Sequence, residues 1–469
     1  MRNAVIAISV AALLSACVSM APHYERPEGA VPEAWPTGAA YAPVAIGTSS
    51  TAATIPWKDF FKEEKLQKVI DQALLNSRDL RRTLANIESA RAQYRIQRAD
   101  LVPHFTADVG GTRAKSVAAT GNAGTTMKTE SYSASAGLSA FEIDLFGKQR
   151  SLSNAAFELY LSTEEASRAT RISLIAETAS AYLAYAADNT QLSISRRTLE
   201  SAQRSMDLTQ KRLQAGVASR VDVRQAETVY QTARADVASL TAIIAQDRNA
   251  LELLAGSHID DSLLPNELPL DSAWLAEVPA GMSSDVLLNR PDILEAEHNL
   301  KSANADIGAA RAAFFPSLSL TASGGLASSS LSSLFSGGAN IWSVSSGLTL
   351  PLFSGGANVA NLAYTKAQKA LYVSEYELAV QTAFREVADA LAVRGTIQES
   401  LDAQSALVDA ASESYRLAEA RYSRGVDTFL NSLDSQRTLY GAEQSLVSTR
   451  LAALNNSVTL YRALGGGLE

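Results

Sequence analysis

Leu74-Leu75-Asn76-Ser77-Arg78-Asp79-Leu80 is written a second time, 213 positions later, as Leu287-Leu288-Asn289-Arg290-Pro291-Asp292-Ile293. The same spacing, without a gap, pairs Asn86 with Asn299, Ala90 with Ala303, Arg98 with Arg311 and Pro103 with Pro316. Farther along, Gly137-Leu138 answers Gly347-Leu348, Leu145-Phe146 answers Leu352-Phe353, and Gly216-Val217 answers Gly425-Val426. Length alone would divide 469 residues into about three domains. The internal repeat replaces that division with two equivalent halves of about 200 residues each.

Both halves carry the same order of elements. A helical stretch, about 63–101 and about 285–315, runs into Pro103 or Pro316, where proline withdraws a backbone donor and disfavours helix in the preceding residue. Period-two alternation follows, the mark of a half-buried strand. Leu318, Leu320, Ala322, Gly324 and Leu326 alternate with Ser317, Ser319, Thr321, Ser323 and Gly325; Trp342, Val344, Ser346, Leu348 and Leu350 alternate with Ser343, Ser345, Gly347 and Thr349. Phe105, Ala107 and Val109, then Tyr132, Ala134, Ala136 and Leu138, repeat the pattern more weakly. Each half therefore holds a β-hairpin, at about 104–141 and about 317–351. Proline-free stretches follow, from Gly147 to Gly216 and from Gly355 to Gly425. Read as unbroken helix, each would be roughly 100 Å long. Val373, Val380 and Val387 at spacing seven mark a coiled-coil seam. Shorter helices return over about 219–254 and 428–463. The expected plan is thus repeats at 63–254 and 285–463, extended segments at 17–62 and 255–284, and a tail at 464–469.

Strands of about ten residues cross a bilayer when tilted, and an apolar face opposite a Ser/Thr/Gly face suits lipid outside and water inside. Tyr132 and Trp342 then become candidates for an interfacial aromatic girdle. A soluble sheet packed on one face shows the same alternation, and the residues alone leave both open. If the strands span, four of them cannot close a barrel and an open edge is not tolerated in lipid, so several protomers must share one.

The amino terminus, Met1 to Met20, has Arg2 before an apolar Ala4–Leu14 run of secretory length. Leu14-Ser15-Ala16-Cys17 resembles the bacterial lipobox, which makes residues 1–16 a cleaved signal and Cys17 a lipid-bearing first residue. An ordinary signal peptide with an incidental cysteine is the alternative; the placing of the chain's only cysteine favours the lipobox. Val18, not Asp, follows it, which favours the outer membrane over retention at the inner one. Acyl chains add about 0.8 kcal/mol of membrane affinity per buried methylene, enough to anchor and not to span.

The composition narrows function by exclusion. A net charge of −8 argues against nucleic-acid binding, one cysteine excludes an intrachain disulfide, and four scattered histidines give no metal-ligand spacing. No Gly-x-Ser-x-Gly elbow, His-Glu-x-x-His or phosphate loop is present. Neither a catalytic group nor a cofactor or metal is expected, beyond a covalent lipid on Cys17.

The chain resembles the outer membrane factors of tripartite efflux systems, the TolC-like lipoprotein channels. The resemblance rests on an ordered set of motifs: Pro22-His23-Tyr24-Glu25-Arg26-Pro27, Trp57-Lys58-Asp59-Phe60-Phe61, Phe141-Glu142-Ile143-Asp144-Leu145-Phe146-Gly147-Lys148, Arg290-Pro291-Asp292-Ile293, Phe314-Phe315-Pro316-Ser317-Leu318, and Gly425-Val426-Asp427 followed by Leu433-Asp434-Ser435-Gln436-Arg437. It implies a mainly helical, duplicated fold in which three protomers contribute four strands each to one outer-membrane β-barrel, continued by a periplasmic α-barrel with an equatorial belt. It also implies a homotrimer with a periplasmic adaptor, an inner-membrane pump of the RND type and outer-membrane lipids as partners. By motif, Leu430 becomes an apolar ring residue of a periplasmic gate, with Asp434 and Arg437 as its polar members. Gly216, Val217, Ala218, Gly425, Val426 and Asp427 become the tips that meet the adaptor. On residues alone, Asp434 and Arg437 could equally be an exposed helical pair three apart. The function so implied is a passive exit channel for drugs, other toxic small molecules or metal ions. A lipid-anchored periplasmic coiled-coil scaffold and the exit duct of a type I protein-secretion system are the alternatives.

Overall fold

The computed structural model describes residues 19–32, 34–41, 55–117, 126–269, 274–278, 284–336 and 340–467. Cys17 lies outside the described residues. In chain order the elements are α1 (Trp57–Phe60), α2 (Glu64–Asn76), α3 (Arg78–Ala99), β1 (Phe105–Val117), β2 (Thr126–Ile143), α4 (Lys148–Gln214), α5 (Arg220–Ala255), α6 (Pro291–Ala312), β3 (Ser317–Ser328), β4 (Asn340–Thr349), α7 (Ala357–Ser423) and α8 (Phe429–Ala463). A short 3₁₀ turn, Ser284–Asn289, precedes α6.

The helix expected over 63–101 is two helices. Ser77 breaks it with an extended backbone, ψ 131°, between α2 and α3. In the second repeat the same place is Arg290, held out of helix by Pro291, which then opens α6 at the position where a missing N–H costs nothing. The proline carried the signal for both repeats, but only the second displays it. α4 and α7 are each 67 residues long. Val380 and Val387 of the heptad seam are buried on α7.

The chain forms two compact units that cut across the sequence repeats. One takes residues up to Pro27, Asn86–Thr163 and Glu295–Tyr376; the other takes Glu28–Ala85, Glu164–Leu294 and the chain from Glu377 onward. The first unit contains the sheet. Both hairpins join in one antiparallel sheet of order β1-β2-β3-β4, through a β2–β3 seam that pairs Tyr132 with Ser328 and Leu138 with Ala322.

The second unit is held by an aromatic core from the Trp57–Phe61 motif. Phe60 stacks on Tyr461 at 4.0 Å, Phe61 meets the same ring edge-on, and the Tyr461 hydroxyl donates to the Ile55 carbonyl at 2.6 Å. The two extended segments meet there. Lys62 N–H donates to the Trp274 carbonyl (2.8 Å) and Ala276 N–H to that of Phe60 (2.7 Å). Tyr182 and Thr190, near the middle of α4, bond the connection at Leu263 and Leu268. Buried Arg290 ties its own motif together, bonding Asp292, Glu386 and the Ala463 carbonyl at the end of α8.

Candidate functional site

Strand register sorts the side chains of the sheet into two faces. Paired residues of antiparallel strands point the same way. Phe105, Leu138, Ala322 and Val344 therefore lie in one row, with Val109, Ala134 and Leu326 in another and Ile143, Leu318 and Leu348 in a third. The opposite face carries Thr106, Gly137, Ser323 and Ser343, then Asp108, Ser135 and Gly325. From the strand bases to the level of Val109 the apolar face runs across the sheet and is open to solvent, with Val109 at 83% and Trp342 at 81% exposure; toward the loop end of β1 and β2 the same face carries Arg113, Lys115, Lys128 and Glu130. Tyr132 and Trp342 share this face. They sit at the levels of Ser328 and Gly324 on β3. At the usual rise of a strand those levels are about 13 Å apart.

The β2 and β3 backbones approach closely on the polar side. A Cβ on Gly137 would fall on the Ala322 carbonyl oxygen, and one on Gly325 on that of Ala134. Both glycines face the polar side, so only glycine lets the two backbones close in there. A bulge between Leu138 and Phe141, with Ala140 at φ 49°, lies at the base of the same seam. Such a bulge adds curvature. The outer edges of β1 and β4 have no strand partner among the described residues.

At the base of the sheet, residues 19–27 form a strap along α6. Arg311 donates to the Met20 carbonyl (3.1 Å) and Asn304 to that of Pro22 (2.8 Å). Glu297, buried on α6, takes Arg26 at 2.6 Å, Lys301 at 2.9 Å and the Tyr24 hydroxyl at 3.2 Å. Burial pushes its carboxyl up, and the two cations outweigh that and hold it below the usual carboxylate range. This is the chemistry behind the Pro22–Pro27 motif. Ser19, Met20 and Ala21 line a hollow with Arg311, Phe314 and Phe315, just before β3 begins.

In the second unit, the turns α4–α5 and α7–α8 are built alike. Gly216 has φ 76° and Gly425 has φ 77°. That region is closed to most side chains. Around each, the glycine N–H and the following valine N–H bond back to the helix, to Leu213 and Arg212 in one turn and to Tyr422 and Arg421 in the other. Val217 and Val426 project into solvent. Ser219 and Asp222 close a reciprocal cap on α5. In the other turn Asp427 accepts from Thr428 N–H (2.8 Å), Asn431 (2.7 Å) and Arg421 (3.1 Å). Those bonds, the backbone one foremost, hold its carboxyl below the usual range. Asp427 thus organises its own turn, while the methyl of Ala218 has no polar contact to make.

The two turns are locked together by residues the sequence reading missed. Arg212 donates to the Tyr422 and Ser423 carbonyls (2.9 and 3.2 Å), its guanidinium lies 4.3 Å from the Tyr422 ring centre, and Thr209 meets the Tyr422 hydroxyl at 3.1 Å. Basic residues ending a long helix before Gly-Val were the available signal. Leu430, Asp434 and Arg437 form one exposed stripe on α8, opposite buried Phe429, Leu433 and Gln436. Asp434 and Arg437 are not an ion pair: Arg437 donates to Thr228 of α5 at 2.8 Å, and no described group bonds the Asp434 carboxylate. One turn farther, the Tyr440 hydroxyl donates to Asp236 at 2.7 Å and lies 2.8 Å from the Ser195 hydroxyl. Burial, with Asp236 beside it, pushes this phenol up to about 12.

An exposed apolar sheet with open edges, in a chain whose 67-residue helices end in capped turns, is the build of a membrane-inserted conduit. The outer membrane efflux protein family matches the chain twice, over residues 69–257 and 282–466. The chain belongs to this family and is an outer-membrane efflux channel protein. The antibiotic efflux pump outer membrane protein ArpC of Pseudomonas putida is 46% identical over 467 residues, covering 100% of this chain and 96% of that protein. The toluene efflux pump outer membrane protein TtgC of the same species is 45% identical over 467 residues, with the same coverage. Among solved structures, the open state of the MtrE outer membrane channel of Neisseria gonorrhoeae superposes with a TM-score of 0.85 at 37% identity, over 96% of this chain and 99% of that one. The two starts of the family match lie 213 positions apart, the spacing of the repeat.

Proposed function

We propose that the protein is the passive exit duct of a tripartite efflux system, working as a homotrimer whose shared barrel spans the outer membrane. The observation that carries the reading is the sheet: an apolar face running across all four strands, a Ser/Thr/Gly-rich opposite face, and two open edges that lipid would not tolerate. Twelve strands from three chains satisfy every edge and put the Ser/Thr/Gly face around water. Energy comes from a partner pump of the RND type through a periplasmic adaptor, and the duct itself performs no bond chemistry and needs no cofactor.

The adaptor meets the paired turns, where Val217 and Val426 stand exposed beside Gly216 and Gly425 and next to Ala218 and Asp427. Leu430, Asp434 and Arg437 narrow the conduit when closed, since a stripe of one residue type repeated about a three-fold axis becomes a ring. Cys17 carries the lipid: the strap brings Ser19 to Phe314 and Phe315 at the base of β3, close in sequence to the acylated position. The cargo class is toxic organic small molecules, as in the relatives named for antibiotics and toluene.

Purified protein in a planar bilayer should give unitary conductance steps. Deletion of its gene should sensitise cells to aromatic solvents and hydrophobic antibiotics. A protein that binds liposomes yet never conducts would return the lipid-anchored scaffold to first place.

A further inference from the structure

All three cations of the four strands stand on one face. Arg113 and Lys115 of β1 and Lys128 of β2 share the side of Val109 and Trp342, whereas Asp108 and Glu142 lie on the Ser/Thr/Gly side. β3 and β4 carry no charged residue. The cations are thus a property of the first hairpin, and within it of the end remote from the helices.

Their register sets like against like. Arg113 stands opposite Glu130, and the two form an ion pair at 3.0 Å. One row farther out on the same face, Lys115 is directly opposite Lys128. Like charges facing each other across a strand pair destabilise it. Both lysines are exposed, and no described carboxylate pairs with either ammonium.

The depth of this row fits a lipid headgroup. Lys115 lies ten positions beyond Phe105, the first residue of β1. At the usual rise that is about 34 Å along the strand, or roughly 26 Å along the membrane normal at a tilt of about 40°. The apolar band of a barrel is about 25 Å tall, so the two ammoniums leave it at its outer rim. Tyr132 marks the same boundary. It points outward one row below the Arg113–Glu130 pair, and its ring covers Gly111, where a Cβ would lie 3.0 Å from Tyr132 Cδ1. Amphipathic aromatic rings collect at that level.

We propose that Lys115 and Lys128 bind a phosphate of the phosphorylated glycolipid in the outer leaflet, with Arg113 beside them. The proposal rests on the shared-barrel reading, which turns this face to lipid, and adds a headgroup site to it. A phosphate between the two ammoniums replaces their repulsion with charge-assisted hydrogen bonds. Directly opposed residues are about 5 Å apart at Cα, and Arg113 lies about 7 Å along the strand, so three long side chains reach one phosphate. With Glu130 included, the group keeps a net charge of +2, which one phosphate dianion neutralises. Free phosphate offers the same oxygens, but only a lipid also lays acyl chains on the apolar rows below.

Native mass spectrometry of the full-length protein in detergent tests the site, with bis-phosphorylated lipid A, its dephosphorylated form and inorganic phosphate as probes. Lys115→Gln with Lys128→Gln should weaken lipid A binding about fivefold for each ammonium, roughly twenty-fivefold together. Each single Gln variant, read alone, covers the case that the pair fails to assemble. Lys115→Arg with Lys128→Arg should bind as the parent does, and so should the charge-matched Lys65→Gln with Lys68→Gln on α2 of the second unit. Undiminished binding in the Gln variants, an equal loss in the α2 pair, equal affinity for the dephosphorylated lipid, or full displacement by equimolar inorganic phosphate overturns the headgroup site. If the same preparation conducts in planar bilayers, the duct stands regardless. A mass of one chain without conductance removes the shared barrel, and the lipid-facing site with it.

Discussion

Arg437 and Thr228 occupy equivalent places in the two repeats, 209 positions apart, and they touch. Around them the repeats agree in backbone and differ in side chains. Both turns use a left-handed glycine and the same pair of return hydrogen bonds. Yet Leu430, Asp434 and Arg437 of the second repeat stand where the first has Val221, Gln225 and Thr228. Asp188 and Asp247, a hydrogen-bonded carboxylate pair between α4 and α5, correspond to Ile397 and Asn456. Glu297, which holds the strap, corresponds to exposed Leu84. What main-chain geometry demands has been kept in both copies; what a side chain does toward water or a neighbour has been assigned to one.

The largest effect should come from the stripe on α8. Replacing Leu430, Asp434 and Arg437 together by Ala should raise single-channel conductance by on the order of tenfold. The matched replacement of Val221, Gln225 and Thr228 should act weakly, through the lost Arg437 contact alone. Equal increases would show that the repeats share the gate and would break the comparison.

Next in size is Glu297→Ala, which leaves Arg26 and Lys301 without their carboxylate. Both cations keep some access to water, so unfolding stability should fall by roughly 2 kcal/mol, less than for a fully buried pair. Leu84→Ala, its partner in the first repeat, should change denaturant midpoints little.

Asp188 comes third. Its carboxyl is raised from 3.8 to about 7, by burial first and then by the neighbouring Asp247. An acid raised in the folded state makes folding less favourable as pH climbs from about 4 to about 7, with no further loss above. Asp188→Asn should remove that slope and gain about 1–2 kcal/mol at pH 8, a value reduced for the solvent that reaches a half-buried side chain. Parallel melting curves for parent and variant at pH 5 and pH 8 would deny the pair its role.

The smallest effect is the most selective. Ser219→Ala should cost about 1 kcal/mol by opening the cap on α5. Thr428→Ala should cost almost nothing, because the Thr428 side chain makes no cap bond. Hydrogen exchange at the first turns of α5 and α8 distinguishes them.

The long helices, the hairpins and the turns were legible because each is written in local signals: period, proline, glycine. The interruption at Ser77 was not, since serine there is compatible with helix and only its repeat partner Arg290, ahead of Pro291, reveals the constraint. The joining of the hairpins through β2 and β3 was hidden for a different reason. Strand alternation fixes a face and says nothing of which strand lies beside it. Gate and turn residues were placed by family likeness; Arg421 lies only six residues from Asp427, but Thr228, the partner of Arg437, comes from 209 residues away in the other repeat, which local patterns cannot join.

The strap has a consequence for the order of assembly. Arg26 and Glu297 are separated by 271 residues and Met20 and Arg311 by 291, so docking the amino terminus closes a loop of more than half the chain. Such a closure is entropically costly and slow, and it has no landing site until α6 has been made and folded. Residues 20–26, made long before α6, are therefore among the last to find their place, and an undocked strap is a stage through which every new molecule passes.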